Sequence, residues 1–304
     1  MEDHEARFVS REEVFSQRPE RAAGLRFAGL WVSGSLAGLA ARTVAVVGTR
    51  APSEAGRARA RDLAEALAQA GICVISGLAL GIDGAAHAGA LAGDGRTIGI
   101  LGGGHRNFFP MRNAPLARAM LAAGGAVISP FEPGEAARPW QFLQRNSVVA
   151  ALSDAVVVVE AAARSGALNT ASWAADLGID VLAFPGDVER PKAAGCNALI
   201  RDGATLVRHA EDVLGAFGIT PVPRARQTAL RLEDPLEARL LEALSGETCD
   251  LEGLCERSRA APGETLAALV RLQIAGVVER GDAGSWIAKR LPAPKARRGS
   301  PRDR

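Results

Sequence analysis

The chain lacks the residue spacings that build common metal and disulfide sites. It contains four cysteines without a CxxC pair, and four scattered histidines. Cys73 lies in an apolar segment typical of a buried strand, which favours free thiols in a reducing cytosol. Histidines without ligand spacing argue against a metal site. We therefore expect neither a metal nor a disulfide framework.

Long apolar runs are missing as well. Residues 1–24 are charged and contain no apolar h-region, so we expect neither a signal peptide nor a membrane span, and we predict a cytoplasmic protein. The net charge is only +2, and residues 286–304 carry seven basic residues against one acidic residue, which leaves −4 for residues 1–285. Any nucleic-acid contact in the body must therefore depend on where its arginines lie.

The glycine-rich segments do not match the common nucleotide-binding motifs. Gly48-Thr49-Arg50 follows a predicted strand, but it is no GxGxxG fingerprint, and no acidic residue ends the second strand to hold a ribose. A Walker loop is excluded because its Gly-Lys-Ser/Thr ending is absent. We therefore expect no cofactor.

Apolar strands alternate with helices from Thr43 onward. This alternation predicts an α/β fold in which residues 43–217 form a doubly wound parallel sheet of about seven strands, after a lead-in segment of residues 1–42. The predicted strands are 44–47, 72–75, 97–101, 126–128, 155–159, 181–184 and 205–207. The predicted helices are 54–70, 84–91, 114–123, 145–152, 170–177 and 198–202.

The carboxyl-terminal part has a different pattern. Residues 218–234 carry prolines and arginines without apolar periodicity and predict a linker. Three short helices and two short strands over residues 235–291 predict a small winged-helix domain with its wing around Gly281–Gly284. Its third helix has little charge for base readout, which favours a structural or protein-contact role. The basic tail, residues 292–304, is expected to be disordered.

The segment Ser76–Leu91 follows the second strand and is rich in glycine. Gly77 and Gly81 allow close backbone approach or positive φ, Asp83 is expected to cap the next helix or organise the loop, and His87 is expected to support the loop by a hydrogen bond. The carboxyl edge of a parallel sheet is where such folds bind ligands. Tight packing against the sheet is the alternative, and the segment alone does not decide between the two.

Other polar loops are predicted at the same edge. The first comprises Gly48, Thr49, Arg50 and Ser53, where amides, a helix amino terminus and a guanidinium favour a phosphate over a surface ion pair. A second contains Gly103, Arg106, Phe109, Arg112 and Asn113, in which an aromatic ring could stack on a base, although Phe108 or Phe109 is expected to fill the core. Further positions are Arg145 and Asn146, placed at a surface rim, and Ser165 and Gly166. Glu160 lacks a partner acid or base, which favours a structural hydrogen-bonding role over catalysis.

Taken in order, these segments resemble the DNA-processing protein A family, called DprA or Smf. The resemblance spans residues 30–215 and is carried by VAVVGTRAPSEAG, SGLALGIDGAAHAGAL, TIGILGGGHRNFFPMRN, QRNSVVAALSDAVVVVEAAARSGALNTA, VLAFPGD and GCNALIRDGA. It implies an extended Rossmann-like homodimer that binds single-stranded DNA without sequence preference and loads the RecA recombinase during natural transformation and homologous recombination. It implies no catalytic turnover.

The sequence departs from the family pattern at several places. Phe109 replaces the usual tyrosine before Pro110, and Ser147 replaces a second arginine, which is expected to weaken DNA binding. We expect the amino-terminal helical domain of many members to be missing, with residues 1–42 retaining at most its final part. The alternative function is a nucleotide-processing enzyme similar to nucleoside-monophosphate phosphoribohydrolases, but the PGGxGT loop of those enzymes is absent. A protein-binding scaffold is the third alternative.

Overall fold

The fold is described from a computed structural model, which covers residues 6–22, 24–219, 234–244, 248–274, 277–281 and 284–288. The chain divides into two compact units, Met1–Pro221 and Val222–Arg304. Most of the predicted linker, residues 218–234, and the whole predicted tail, residues 292–304, lie outside the described residues.

The first unit is built on one large sheet. Among the described residues the sheet has nine strands in the order β1-β2-β6-β5-β4-β3-β7-β8-β9, and β3 to β9 run parallel. The strands are β1 (Arg7–Ser10), β2 (Gly29–Gly34), β3 (Thr43–Val47), β4 (Cys73–Ser76), β5 (Thr97–Ile100), β6 (Ala126–Ser129), β7 (Ala155–Val158), β8 (Asp180–Ala183) and β9 (Thr205–Leu206). The prediction of a doubly wound, Rossmann-like α/β sheet is confirmed.

The segment predicted as a lead-in supplies β1 and β2. Strand β2 pairs antiparallel with β6, with Trp31 opposite Ser129, and β1 pairs antiparallel with β2. Leu30 and Val32 are buried in one of the hydrophobic clusters that cover the sheet. The lead-in segment therefore adds two strands to the seven that were predicted.

Helices cover both faces of the sheet. One cluster holds Val148 and Ala171 against the sheet, a second holds Leu63, Leu67 and Ile82, and a third packs the helix Ala114–Ala122 against β6. The helices are α1 (Arg11–Val14), α2 (Glu54–Gln69), α3 (Ile82–Ala92), α4 (Ala114–Ala122), α5 (Pro139–Ala151), α6 (Gly166–Asp176), α7 (Ala194–Arg201) and α8 (Ala210–Ala216). No helix in the described parts of the chain is long and apolar enough to cross a membrane.

Helix α5 begins earlier than the sequence pattern predicts. The prediction started it near Arg145, but the helix starts at Pro139, with the proline in its first turn and Arg138 in extended conformation before it. Proline is well suited to the first helical position because its missing N–H has no partner there. Arg145 and Asn146 therefore lie in the middle of the helix, on its buried side.

The second unit is a small winged helix, as predicted. It contains α9 (Pro235–Ala243), α10 (Leu251–Ser258), α11 (Pro262–Ile274), β10 (Val278–Arg280) and β11 (Trp286–Ala288), and the two strands pair antiparallel. Trp286 is buried in the core of this unit. Arg271 of α11 binds Asp234 at 2.8 Å and Glu237 at 2.7 Å, so its charge is matched locally. Two residues of the predicted wing, 282 and 283, lie outside the described residues.

Candidate nucleic-acid interface

The topology brings the predicted loops to one edge of the sheet. Strands β4, β5 and β6 lie on one side of β3, and β7 to β9 lie on the other. The loops after β3 and β7 therefore flank the point where strand order reverses, which is the usual ligand site of an open α/β sheet. We call the loops at the carboxyl ends of β3 to β8 the carboxyl edge.

The loop after β3 is held by hydrogen bonds to Glu160. The Ser53 hydroxyl donates to Glu160 Oε2 at 2.5 Å and accepts from the Gly56 amide at 3.0 Å, which caps α2. The Ser53 amide also donates to Glu160 Oε1 at 3.0 Å. Glu160 thus has the structural role that the sequence favoured, and it fixes the loop that carries Arg50.

Arg50 lies beside aromatic rings at the surface. Its guanidinium carbon is 5.1 Å from the centroid of the Phe142 ring, and Phe142 meets Phe109 edge-on with centroids 6.1 Å apart. Phe109 is 53% exposed, whereas Phe108 is buried in a core cluster. A guanidinium next to accessible rings can bind a phosphate while the rings stack on bases. Phe142 was missed by the sequence reasoning, although an early start of α5 at Pro139 would have placed it three residues before Arg145.

Asp83 organises the loop after β4. Its Oδ2 accepts from the amides of Gly77 at 3.1 Å and Ala79 at 3.4 Å. Helix α3 begins at Ile82 with Gly81 at its cap position, so Asp83 is not the cap. Gly81 has φ +87°, and a side chain there would collide with the backbone of Thr49 and Arg50. The loop after β4 is therefore packed directly against the loop that carries Arg50.

Arg145 is buried, and its predicted position at a surface rim is wrong. The side chain donates to the carbonyl oxygens of Gly77 and Ile100, and only 3% of the residue is exposed. The guanidinium occupies the space where a Cβ of Gly77 would be. Burial lowers the pKa of Arg145 to about 10, opposed by the nearby Asp83, so the group stays charged at neutral pH. Arg145 joins α5 to the ends of β4 and β5.

Two predicted asparagines are buried in the same way. Asn113 donates through Nδ2 to the carbonyls of Leu78 at 2.9 Å and Ala79 at 3.0 Å. Asn146 donates to the carbonyl of Gly166 at 3.1 Å. These amides join neighbouring loops, and 9% and 8% of the residues, respectively, are exposed. The two asparagines therefore hold the loops of the carboxyl edge in place, and little of their own surface can contact a ligand.

His87 does not support the loop, contrary to expectation. Its Nδ1 lies 2.7 Å from the Thr97 hydroxyl, which itself donates to the Val74 carbonyl, so Nδ1 is the donor. Burial lowers the pKa of His87 to about 3. The residue therefore joins α3 to β5 as a neutral imidazole, because α3 starts early and directs this position at the sheet.

The remaining predicted residues divide by exposure. Arg106, Arg112 and Gly166 are exposed at the edge, and Ser165 caps α6 by accepting from the Ala167 amide at 3.3 Å. Gly48 packs tightly against Ile82, Gly103 packs against Ala137, and the Thr49 hydroxyl accepts from the Ala51 amide at 3.3 Å. Within the described residues, no group of His, Cys, Asp and Glu could hold a metal ion.

Sequence comparisons point to one family. A family model described as DNA recombination-mediator protein A matches residues 19–218, and one described as the DprA winged helix domain matches residues 220–284. The putative DNA processing protein DprA of Mycobacterium tuberculosis is 39% identical over 277 residues, covering 88% of this chain and 70% of that protein. Protein Smf of Escherichia coli is 36% identical over 266 residues, covering 85% and 69%.

Solved structures agree with these matches. The X-ray structure of DNA processing protein A from Streptococcus pneumoniae aligns with a TM-score of 0.58 at 38% identity, covering 62% of this chain and 66% of that chain. A structure from Helicobacter pylori, described for the single-stranded DNA binding mode of its DNA processing protein A, aligns with a TM-score of 0.61. It covers 71% of this chain and 96% of that chain, and at 24% identity it shows the fold alone. The chain therefore belongs to the DNA recombination-mediator protein A family, also called DprA or Smf.

Proposed function

We propose that the carboxyl edge binds single-stranded DNA without sequence preference and without catalytic turnover. The observation that carries this proposal is the position of Arg50 over the Phe142 ring, beside the exposed Phe109. In this proposal Arg50 contacts a phosphate, with Arg106 and Arg112 as further cationic contacts. The rings stack on bases that are exposed only in a single strand. The same ligand class is named for the Helicobacter pylori DNA processing protein A, which shares this fold.

The chemistry of these groups explains why the sequence of the strand should not matter. Phosphates are the same at every nucleotide, and every base has a face on which an aromatic ring can stack. The binding should weaken steeply as salt rises, because cations released from the phosphates contribute to the affinity. The buried polar residues, including Asp83, Asn113, Arg145 and Asn146, would then hold the loops in the binding shape.

Replacing Arg50 with alanine tests this assignment. We expect Arg50→Ala to weaken binding of a labelled oligothymidylate by at least about ten-fold, because loss of a charged hydrogen bond costs about 1.5–3 kcal/mol. The slope of log affinity against log salt should become shallower by about 0.7 for one lost phosphate contact. The thermal unfolding midpoint should hardly change, because Arg50 is exposed.

The matched control is Arg118→Ala on helix α4, which also removes an exposed arginine. It should bind like the unaltered protein. If both variants gave the affinity and salt slope of the unaltered protein, Arg50 would have no role in DNA binding.

We further propose that the protein is a cytoplasmic homodimer that loads the RecA recombinase onto the bound strand, as the family resemblance implies. The test is the rate of RecA filament formation on a single strand already coated with single-strand binding protein. We expect a substoichiometric amount of this protein to speed filament formation. The Arg50→Ala variant should lose this effect. An unchanged filament rate with the unaltered protein would contradict the loading role while leaving DNA binding intact.

A further inference from the structure

A second aromatic residue is exposed at the carboxyl edge. Trp140 lies in the first turn of α5 and is 52% exposed. Its ring meets the Phe131 ring edge-on, with centroids 6.1 Å apart and an interplanar angle of 87°. Phe131 is buried at 7% exposure, so the tryptophan rests on a fixed neighbour while half of it faces solvent. A tryptophan this exposed and this well supported is suited to binding a flat apolar partner.

The position of Trp140 continues the line of groups that starts at Arg50. Arg50 follows β3, Phe142 packs against Gly102 after β5, and Phe131 follows β6. Since the strand order is β6-β5-β4-β3, these three positions follow one another across the sheet. Neighbouring strands are about 4.8 Å apart, so the line spans about 14 Å from β3 to β6. A strand bound at Arg50 and Phe142 reaches Trp140 after a few more nucleotides.

The charges around this line suit a polyanion. Arg106, Arg112 and Arg138 are exposed, and no described carboxylate forms an ion pair with any of them. Two carboxylates lie on the loop after β6, Glu132 and Glu135, and Glu135 also accepts a hydrogen bond from Gln141 Nε2 at 2.5 Å. The three exposed arginines therefore outnumber the two carboxylates of this loop. The balance of exposed cations favours a nucleic acid over an acidic or purely apolar protein segment.

We propose that Trp140 is a second base-stacking position for the single strand that Arg50 and Phe142 bind. The inference rests on the proposed function and extends it, because it defines the path of the bound DNA, from the end of β3 across the sheet toward the end of β6. Arg138, two residues before Trp140, supplies a cation next to the stacked nucleotide. The bound species is a nucleobase of single-stranded DNA.

Strand length separates this subsite from the site at Arg50. In a series of oligothymidylates of about 4 to about 16 nucleotides, Trp140→Ala should bind the long oligomers at least about five-fold more weakly. It should bind the shortest oligomers normally, because they are filled by the site at Arg50 alone. Trp140→Phe keeps an aromatic ring and should stay within about two-fold of the unaltered protein. Arg50→Ala should weaken binding at every length.

Fluorescence gives a readout that a purely structural role would not change. Stacking of thymine on Trp140 should quench tryptophan emission when a long oligomer binds, and Trp140→Phe should lose this quenching. The matched control is Trp173→Phe near the carboxyl-terminal end of α6, where Trp173 is partly buried against the core. This variant should keep the quenching, because the carboxyl end of α6 lies away from the carboxyl edge.

Three other binding results would each contradict a different part of the proposal. If Trp140→Ala binds long oligomers normally while Arg50→Ala is weakened, the subsite is wrong and the proposed function stands. If Trp140→Ala is weakened equally at all lengths, Trp140 supports the fold of the edge and is not a separate stacking position. If Arg50→Ala and Trp140→Ala both bind every oligomer normally, the proposed function itself fails.

Discussion

Arg50 and Arg145 both lie near Asp83, but in different layers of the molecule. Arg50 is exposed above an aromatic ring, and no described carboxylate forms an ion pair with it. Arg145 is buried below the loops and donates to two backbone carbonyls. The guanidinium group therefore has two uses in this protein. In the exposed upper layer, the donors of Arg50 remain available for a ligand, and in the buried lower layer, the donors of Arg145 join strand ends.

The lower layer is a set of buried polar side chains that hydrogen-bond to the backbone of the loops and strand ends. Asp83 accepts from loop amides, Asn113 and Asn146 donate to loop carbonyls, and Arg145 bridges β4 and β5. A buried polar group without a partner would destabilise the fold, so such groups are placed where backbone groups need them. We infer that the shape of the upper layer depends on this lower layer.

The strands of the sheet could be predicted because their apolar runs are bounded by glycines and polar loops. The seven parallel strands lie within about two residues of the predicted ranges. The pairing of β2 with β6 could not be predicted, because it joins segments far apart in the chain and no local pattern encodes such a contact.

The sequence predicted which loops form the candidate site, but it did not predict which of their residues are exposed and which are buried. Loop composition located Arg50 and Phe109 at the edge, where both are exposed. Loop composition also placed Arg145 at this surface. That placement was wrong because the predicted helix began at Arg145, whereas α5 begins at Pro139. Six residues of helix rotate a side chain through more than one and a half turns, so the error in the helix start became an error in exposure.

Acid unfolding gives the largest effect that separates the two layers. His87, which is buried like the residues of the lower layer, has a pKa of about 3 in the fold, against about 6.5 when unfolded. Its contribution to the free energy of unfolding is complete above pH 6.5 and is lost as the pH falls toward 3. The loss is about 1.4 kcal/mol per pH unit in this window. We expect His87→Asn, which keeps a donor for Thr97 but cannot ionise, to make the urea midpoint less sensitive to pH.

The control for this prediction is His209→Asn, because His209 is exposed and lies beside Glu211 and Asp212. It should leave the pH dependence close to that of the unaltered protein. Equal pH curves for His87→Asn and the unaltered protein would show that His87 does not resist protonation in the fold. The buried site of His87 would then accept a positive charge, and burial there would differ less from exposure at Arg50.

The most direct test compares Arg50→Ala with Arg145→Lys in oligothymidylate binding over a salt series. Lysine keeps the charge, but one ammonium group does not reproduce the fork that reaches both the Gly77 and Ile100 carbonyls. We predict that Arg145→Lys, assayed below its unfolding midpoint, loses about ten-fold in affinity with an unchanged salt slope, whereas Arg50→Ala makes the slope shallower by about 0.7. Normal binding by Arg145→Lys, together with an unchanged slope for Arg50→Ala, would contradict the account.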